Sequence, residues 1–194
     1  MMNIELEAMA LEMPEVDGHP NRVPFHGVLT LVAVPSRKPP GGAEGHRVML
    51  TRKATEAALP SLLGMALDYA PALDAHDARR KIGVITEAEI VPLKAGGADP
   101  AGKLAVRGYL YGHDFPDAVA ELQAGNMTLG MSYEITDAMV ASPKSPIWTV
   151  TSFTFTGAAM LRRDRAAYPE TWIEINRTKA TTSMSAELAA QINN

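Results

Sequence analysis

A serine in mid-strand and a histidine in a loop are the side chains whose types suit hydrolytic chemistry in this chain. Ser132 lies in Leu129-Gly130-Met131-Ser132-Tyr133-Glu134-Ile135, where apolar residues alternate with small or polar ones, the pattern of a half-buried strand. A period of two puts Leu129, Met131, Tyr133 and Ile135 on one face. Ser132 points to the other, with Gly130 and Glu134 as neighbours. A hydroxyl so placed is a nucleophile only if another part of the chain brings a base to it. The best candidate base is His76, in Leu73-Asp74-Ala75-His76-Asp77, just ahead of the strand-like run Ile82-Gly83-Val84-Ile85. Taken separately, each residue has an ordinary reading: a solvent-facing strand serine and a turn histidine.

Other chemistries are weaker. Gly130-Met131-Ser132-Tyr133-Glu134 ends in Glu where a nucleophile elbow needs Gly, which argues against an α/β-hydrolase. The dipeptides His76-Asp77 and His113-Asp114 have metal-ligand side chains, and a metal-dependent hydrolase is the alternative they raise. Adjacent residues rarely face one ion, however, and no metal or other cofactor is expected. With no cysteine there is neither a thiolate nucleophile nor a disulfide.

Several elements must position these residues. Strands are expected at 27–34, 48–50, 81–91, 103–111, 129–135 and 148–155. Helices are expected at about 53–63, capped by Thr51, and 116–124, preceded by Asp114 and closed by Gly125-Asn126. The loop Lys94 to Pro100 reads as a hairpin connection. The pattern implies an α+β domain, a mostly antiparallel curled sheet or barrel with helices outside. An acidic segment 1–24 precedes the domain at 25–175, and a polar tail 176–194 follows, with a helix start at Ser185 to Gln191.

The 194 residues, 46% of them hydrophobic and 21% charged, suffice for one globular domain with its own core. A net charge of −4 gives no electrostatic case for nucleic acid or an anionic membrane. No apolar run approaches the roughly 20 residues of a membrane span, and Met1 to Met13 lacks the layout of a signal peptide. An intracellular protein is expected.

The ordered set of segments resembles the prohead (capsid maturation) proteases of tailed bacteriophages, relatives of the herpesvirus assemblins. The resemblance covers about residues 24–175. It rests on His76 ahead of Ile82-Gly83-Val84-Ile85, on Arg107-Gly108-Tyr109-Leu110, and on Leu129 to Glu134. The strand Val150-Thr151-Ser152-Phe153-Thr154-Phe155 and the turn Gly157-Ala158-Ala159 complete the set. It implies a herpesvirus-protease-like barrel and a serine endopeptidase with Ser132 as nucleophile and His76 as base. It also implies work inside the assembling procapsid in the host cytoplasm, with capsid scaffold and major capsid protein precursors as partners and a homo-oligomer, such as a dimer, as the working state.

The family's third catalytic member falls at about Thr149, where this chain has neither its Glu nor its His. Thr151, Glu87 and Glu89 are the physical alternatives for orienting the imidazole. The family's oxyanion loop matches Thr156-Gly157-Ala158, with Gly157 and Ala158 as backbone donors. The unmatched third position also leaves room for a non-catalytic member of the same fold acting in capsid assembly.

Overall fold

The computed structural model describes residues 19–93, 100–124 and 129–175. The expected helix closure at Gly125-Asn126, most of the hairpin loop after Leu93, the acidic segment up to residue 18 and the tail from 176 lie outside these residues.

Strands dominate, with β1 at Arg22–Val32, β2 at Arg47–Leu50, β3 at Ala66–Asp68 and β4 at Lys81–Pro92. They continue with β5 at Gly102–Tyr111, β6 at Leu129–Val140, β7 at Ile147–Arg162 and β8 at Trp172–Ile175. Helix α1 spans Arg52–Ala58 and α2 spans Pro116–Ala124. All eight strands form one sheet in the order β2-β7-β3-β4-β5-β1-β8, with β6 also paired to β7. The sheet curls like a half-barrel, so the α+β, mostly antiparallel architecture holds. Only β2–β7 and β3–β7 are parallel among the described pairs. The curl brings β8 round towards β6, where the Thr171 hydroxyl accepts a hydrogen bond from the Met131 amide at 3.2 Å.

Local signals explain the helices. Thr51 is extended, and its hydroxyl accepts from the Ala54 amide at 3.3 Å, satisfying one orphan donor of α1. The helix is shorter than the expected 53–63 because Pro60 tightens its end into a 3-10 turn over Leu59–Leu62. In that turn Ser61 donates to the Ala58 carbonyl at 2.6 Å and accepts the Phe155 amide at 3.0 Å, tying it to β7. Leu29, Leu50, Leu62, Leu67, Ile85 and Met160 are fully buried inside the curl.

Strand boundaries differ from expectation in β1, in β7 and in β6, which runs past Ile135 to Val140. β1 begins at Arg22, taking residues 22–24 out of the acidic segment and into the sheet. Among the described residues Pro24 pairs only with Tyr109 of β5, and pairing with β8 begins at Phe25. The strand ends at Val32 because Ala33 has a φ of 55° and turns its amide to the Leu50 carbonyl. The second difference is in β7, which does not turn at Gly157 but runs on to Arg162.

Candidate active site

Four side chains share one row across the sheet. Lys81 of β4 lies opposite Asp68 of β3, Asp68 opposite Ala159 of β7, and Ala159 opposite Ser132 of β6. Residues directly opposed across paired strands point to the same face. Asp68 and Ser132 are therefore two strand spacings apart, roughly 10 Å between Cα atoms. Ala159, fully buried, is the floor between them.

The loop between β3 and β4 carries His76 over this floor. Its path is fixed at three points. The Leu73 carbonyl accepts the Arg162 amide at 2.7 Å, Arg80 donates to Asp77 at 2.9 Å, and the Asp77 amide donates to Asp68 Oδ1 at 3.2 Å. The imidazole is largely buried, with its Nδ1 3.6 Å from Asp68 Oδ1 and 3.7 Å from Glu134 Oε1. These are ion-pair distances, longer than hydrogen bonds. Nε2 is buried without a hydrogen-bond partner among the described residues. Both carboxylates thus face one ring nitrogen, which favours the Nδ1–H tautomer and leaves the Nε2 lone pair free.

The two carboxylates differ in setting. Asp68 is 1% exposed, and its Oδ2 accepts from Lys81 Nζ at 3.0 Å. Burial pushes its carboxyl up, but the His76 ring and the Lys81 ammonium outweigh burial and hold it below its ordinary value of 3.8. Glu134 is 54% exposed and reaches back across β7 over Gly157. A Cβ at Gly157 would lie 2.6 Å from Glu134 Oε2, so the absent side chain is what lets this carboxylate fold down towards the imidazole. Glu134 also lines a groove of about 950 Å³ with Tyr133, Ile135, Val140, Trp148 and the loop Pro40–Glu44, a groove whose lining does not include Ser132 or His76.

The site residues expected from sequence fare differently. Ser132 is half-buried on the face that the alternation assigned to it, and His76 reaches the carboxylate that shares Ser132's row. No hydrogen bond joins His76 to Ser132, since both ring nitrogens are without one. Thr149 is not brought to this cluster. It lies near the opposite end of β7, paired with Met49 of β2, and its carbonyl accepts the Ala141 amide. Thr151 donates to the Met139 carbonyl at 3.2 Å, and Glu87 pairs with Arg107 at 3.4 Å. Glu89 is exposed on β4 opposite Ala105.

Gly157 and Ala158 correct the expected oxyanion turn. Both lie inside the β7 ladder, opposite Glu134 and Tyr133, with Ala158 also paired to Leu67 of β3. The irregularity there is a bulge at Thr156, between the Phe155 and Gly157 pairings, and not a loop open to substrate.

The carboxylate beside His76 that sequence reasoning missed is Asp68. Its one signal is a charged residue inside the apolar run Ala66-Leu67-Asp68-Tyr69. Glu134 was visible as a same-face neighbour of Ser132, without a role. The two His-Asp dipeptides form no metal cluster, and among the described residues no group of three or more His, Asp or Glu could hold an ion. Asp77 turns to Arg79, and the exposed His113 pairs with Asp114 at 3.7 Å.

These features define a class: an α+β domain whose curled, mostly antiparallel sheet carries a serine, a histidine and two carboxylates on one wall. The chain belongs to the YonD N-terminal domain family, whose model matches residues 71–194. That span includes His76, Ser132 and Glu134 and begins after Asp68. No curated protein and no solved structure matches the chain. No helix among the described residues is long and apolar enough to cross a membrane.

Proposed function

We propose that this chain is a serine endopeptidase of the prohead protease type, on a herpesvirus-protease-like barrel, cleaving scaffold and capsid precursors during procapsid maturation. Support comes from the row that aligns Asp68, Ala159 and Ser132, with His76 held above it by its contact to Asp68. Two strand spacings leave roughly 10 Å between the Cα atoms of acid and nucleophile, a gap that an imidazole between them would bridge.

In this reading Ser132 Oγ attacks the scissile carbonyl carbon while His76 Nε2 takes its proton. The imidazolium, stabilised by a carboxylate at Nδ1, returns that proton to the leaving amine. Water then hydrolyses the acyl-enzyme by the same base. Confinement with many scaffold copies raises effective concentration to roughly the millimolar range, so modest turnover suffices. The test is Ser132→Ala: precursor accumulates uncleaved, and normal processing by that variant rules the mechanism out.

A second reading, a non-catalytic assembly factor of the same fold, draws on one observation. The imidazole makes no hydrogen bond to Ser132. Resting enzymes often hold such contacts loosely and tighten them on binding, so the protease reading is preferred. Rescue of assembly by Ser132→Ala would favour the second.

A further inference from the structure

We infer that Asp68 is the positioning carboxylate for His76, and that Glu134 is not, an assignment that rests on the protease reading above. The role thereby comes from β3, ahead of the histidine in sequence, and not from β7 after the nucleophile.

Three observations carry this. Asp68 shares the row of Ser132 across Ala159, so a ring held at Asp68 is held at the row of the hydroxyl. Glu134, two residues along β6 from Ser132, approaches the ring from beside the nucleophile. Secondly, Asp68 is fixed at both oxygens. Oδ2 is held by Lys81, while Oδ1 accepts the amide of Asp77, the residue after His76. The oxygen facing Nδ1 therefore also sets the height of the loop that carries the ring. Among the described residues Glu134 has no comparable anchor; its carboxylate is half exposed and rests over a glycine. Thirdly, a charge only 1% exposed acts on its neighbour through less water than one 54% exposed. The charged groups facing the ring are Asp68 from β3 and Glu134 from β6, with Lys81 of β4 behind Asp68. The lysine contacts the far oxygen, so it holds the carboxylate without competing for Nδ1.

The experiment combines two readouts on the full chain. The rate of Ser132 phosphonylation by a fluorophosphonate is resolved into its maximal rate and its half-saturating probe concentration. Nitrogen-15 NMR of the His76 ring reports which nitrogen carries the proton. The variants are Asp68→Asn, Asp68→Asn with Lys81→Met, Lys81→Met alone, and Glu134→Gln. The double variant removes the lysine that Asp68→Asn would leave unpaired, which guards against simple misfolding.

Both Asp68→Asn variants are expected to lower the maximal rate by about 10²–10⁴-fold with the half-saturating concentration little changed. Their imidazole becomes a tautomer mixture. Glu134→Gln keeps the Nδ1–H tautomer and stays within about threefold of the parent, as expected for a group not holding the ring nitrogen, whereas Lys81→Met loosens the carboxylate it holds and lowers the rate by less than Asp68→Asn does. A folded double variant with the parent's rate and tautomer overturns the assignment, as does loss of both in Glu134→Gln. If the parent itself is never phosphonylated at Ser132, the protease reading fails, and the tautomer measurement alone still decides whether Asp68 orients the ring.

Discussion

His76-Asp77 and His113-Asp114 are the same dipeptide in two settings. His113 follows β5, is 82% exposed and pairs with its own neighbour Asp114. His76 is 18% exposed, and its own neighbour turns away to Arg79 while carboxylates from β3 and β6 approach its Nδ1. Proximity in sequence therefore says little about which acid serves a histidine. Strand register decides it, because β3, β7 and β6 bring Asp68 and Ser132 to either side of Ala159. The burial of one pair and the solvation of the other follow from the Leu73 and Asp77 contacts that fold the first loop down onto the sheet.

Four substitutions break or sharpen that contrast. The largest effect is expected from exchanging the histidines separately. His76→Ala should cut precursor cleavage by about 10³-fold or more, as loss of a general base does, and His113→Ala should leave it unchanged; a cleavage time course by gel decides. Next is the floor. Ala159→Leu would push a side chain into the space under the imidazole and displace the ring by an ångström or more, so cleavage should fall by about 10²-fold. Circular dichroism would check that the sheet is intact, since overpacking there also costs about 1–3 kcal/mol. The smallest effect is at Gly157. Its replacement by Ala lifts the Glu134 carboxylate away from His76, and because Glu134 is the flexible partner, stability should change by about 1 kcal/mol or less. Activity should stay within about threefold of the parent.

The same contrast extends to pH. The folded Asp68 carboxyl is held below 3.8 by His76 and Lys81. A depressed folded value means its stabilisation is complete above the unfolded value and disappears as pH falls through the folded one. Denaturant midpoints taken from about pH 5 down to about pH 2 should therefore drop more steeply for the parent than for the variant with both Asp68→Asn and Lys81→Met.

Much of the frame was legible in the sequence. Thr51 capped the first helix as its hydroxyl suggested, and α2 spans Pro116–Ala124 as read from Asp114 onward. β4, β5 and the start of β6 showed in their β-branched and alternating residues. The acid beside His76 was not legible, because β3 is three residues long and its pairing with β4 and β7 is non-local. A run so short has no period to detect. β8 was hidden for the same reason, being four residues of ordinary composition. Gly157 misled: a glycine followed by alanines looks like a turn, but here it is a clearing in a continuous strand beneath Glu134. Thr149 was placed by resemblance, and the register of β7 with β2 carries it to the other end of the sheet.

The most direct measurement is intact-mass and peptide mapping of the folded chain after exposure to a fluorophosphonate. One adduct on Ser132, lost in His76→Ala and kept in His113→Ala, is what a paired hydroxyl and imidazole produce. An unlabelled Ser132, or labelling indifferent to His76, would mean that the two side chains share a wall of the sheet without sharing a reaction.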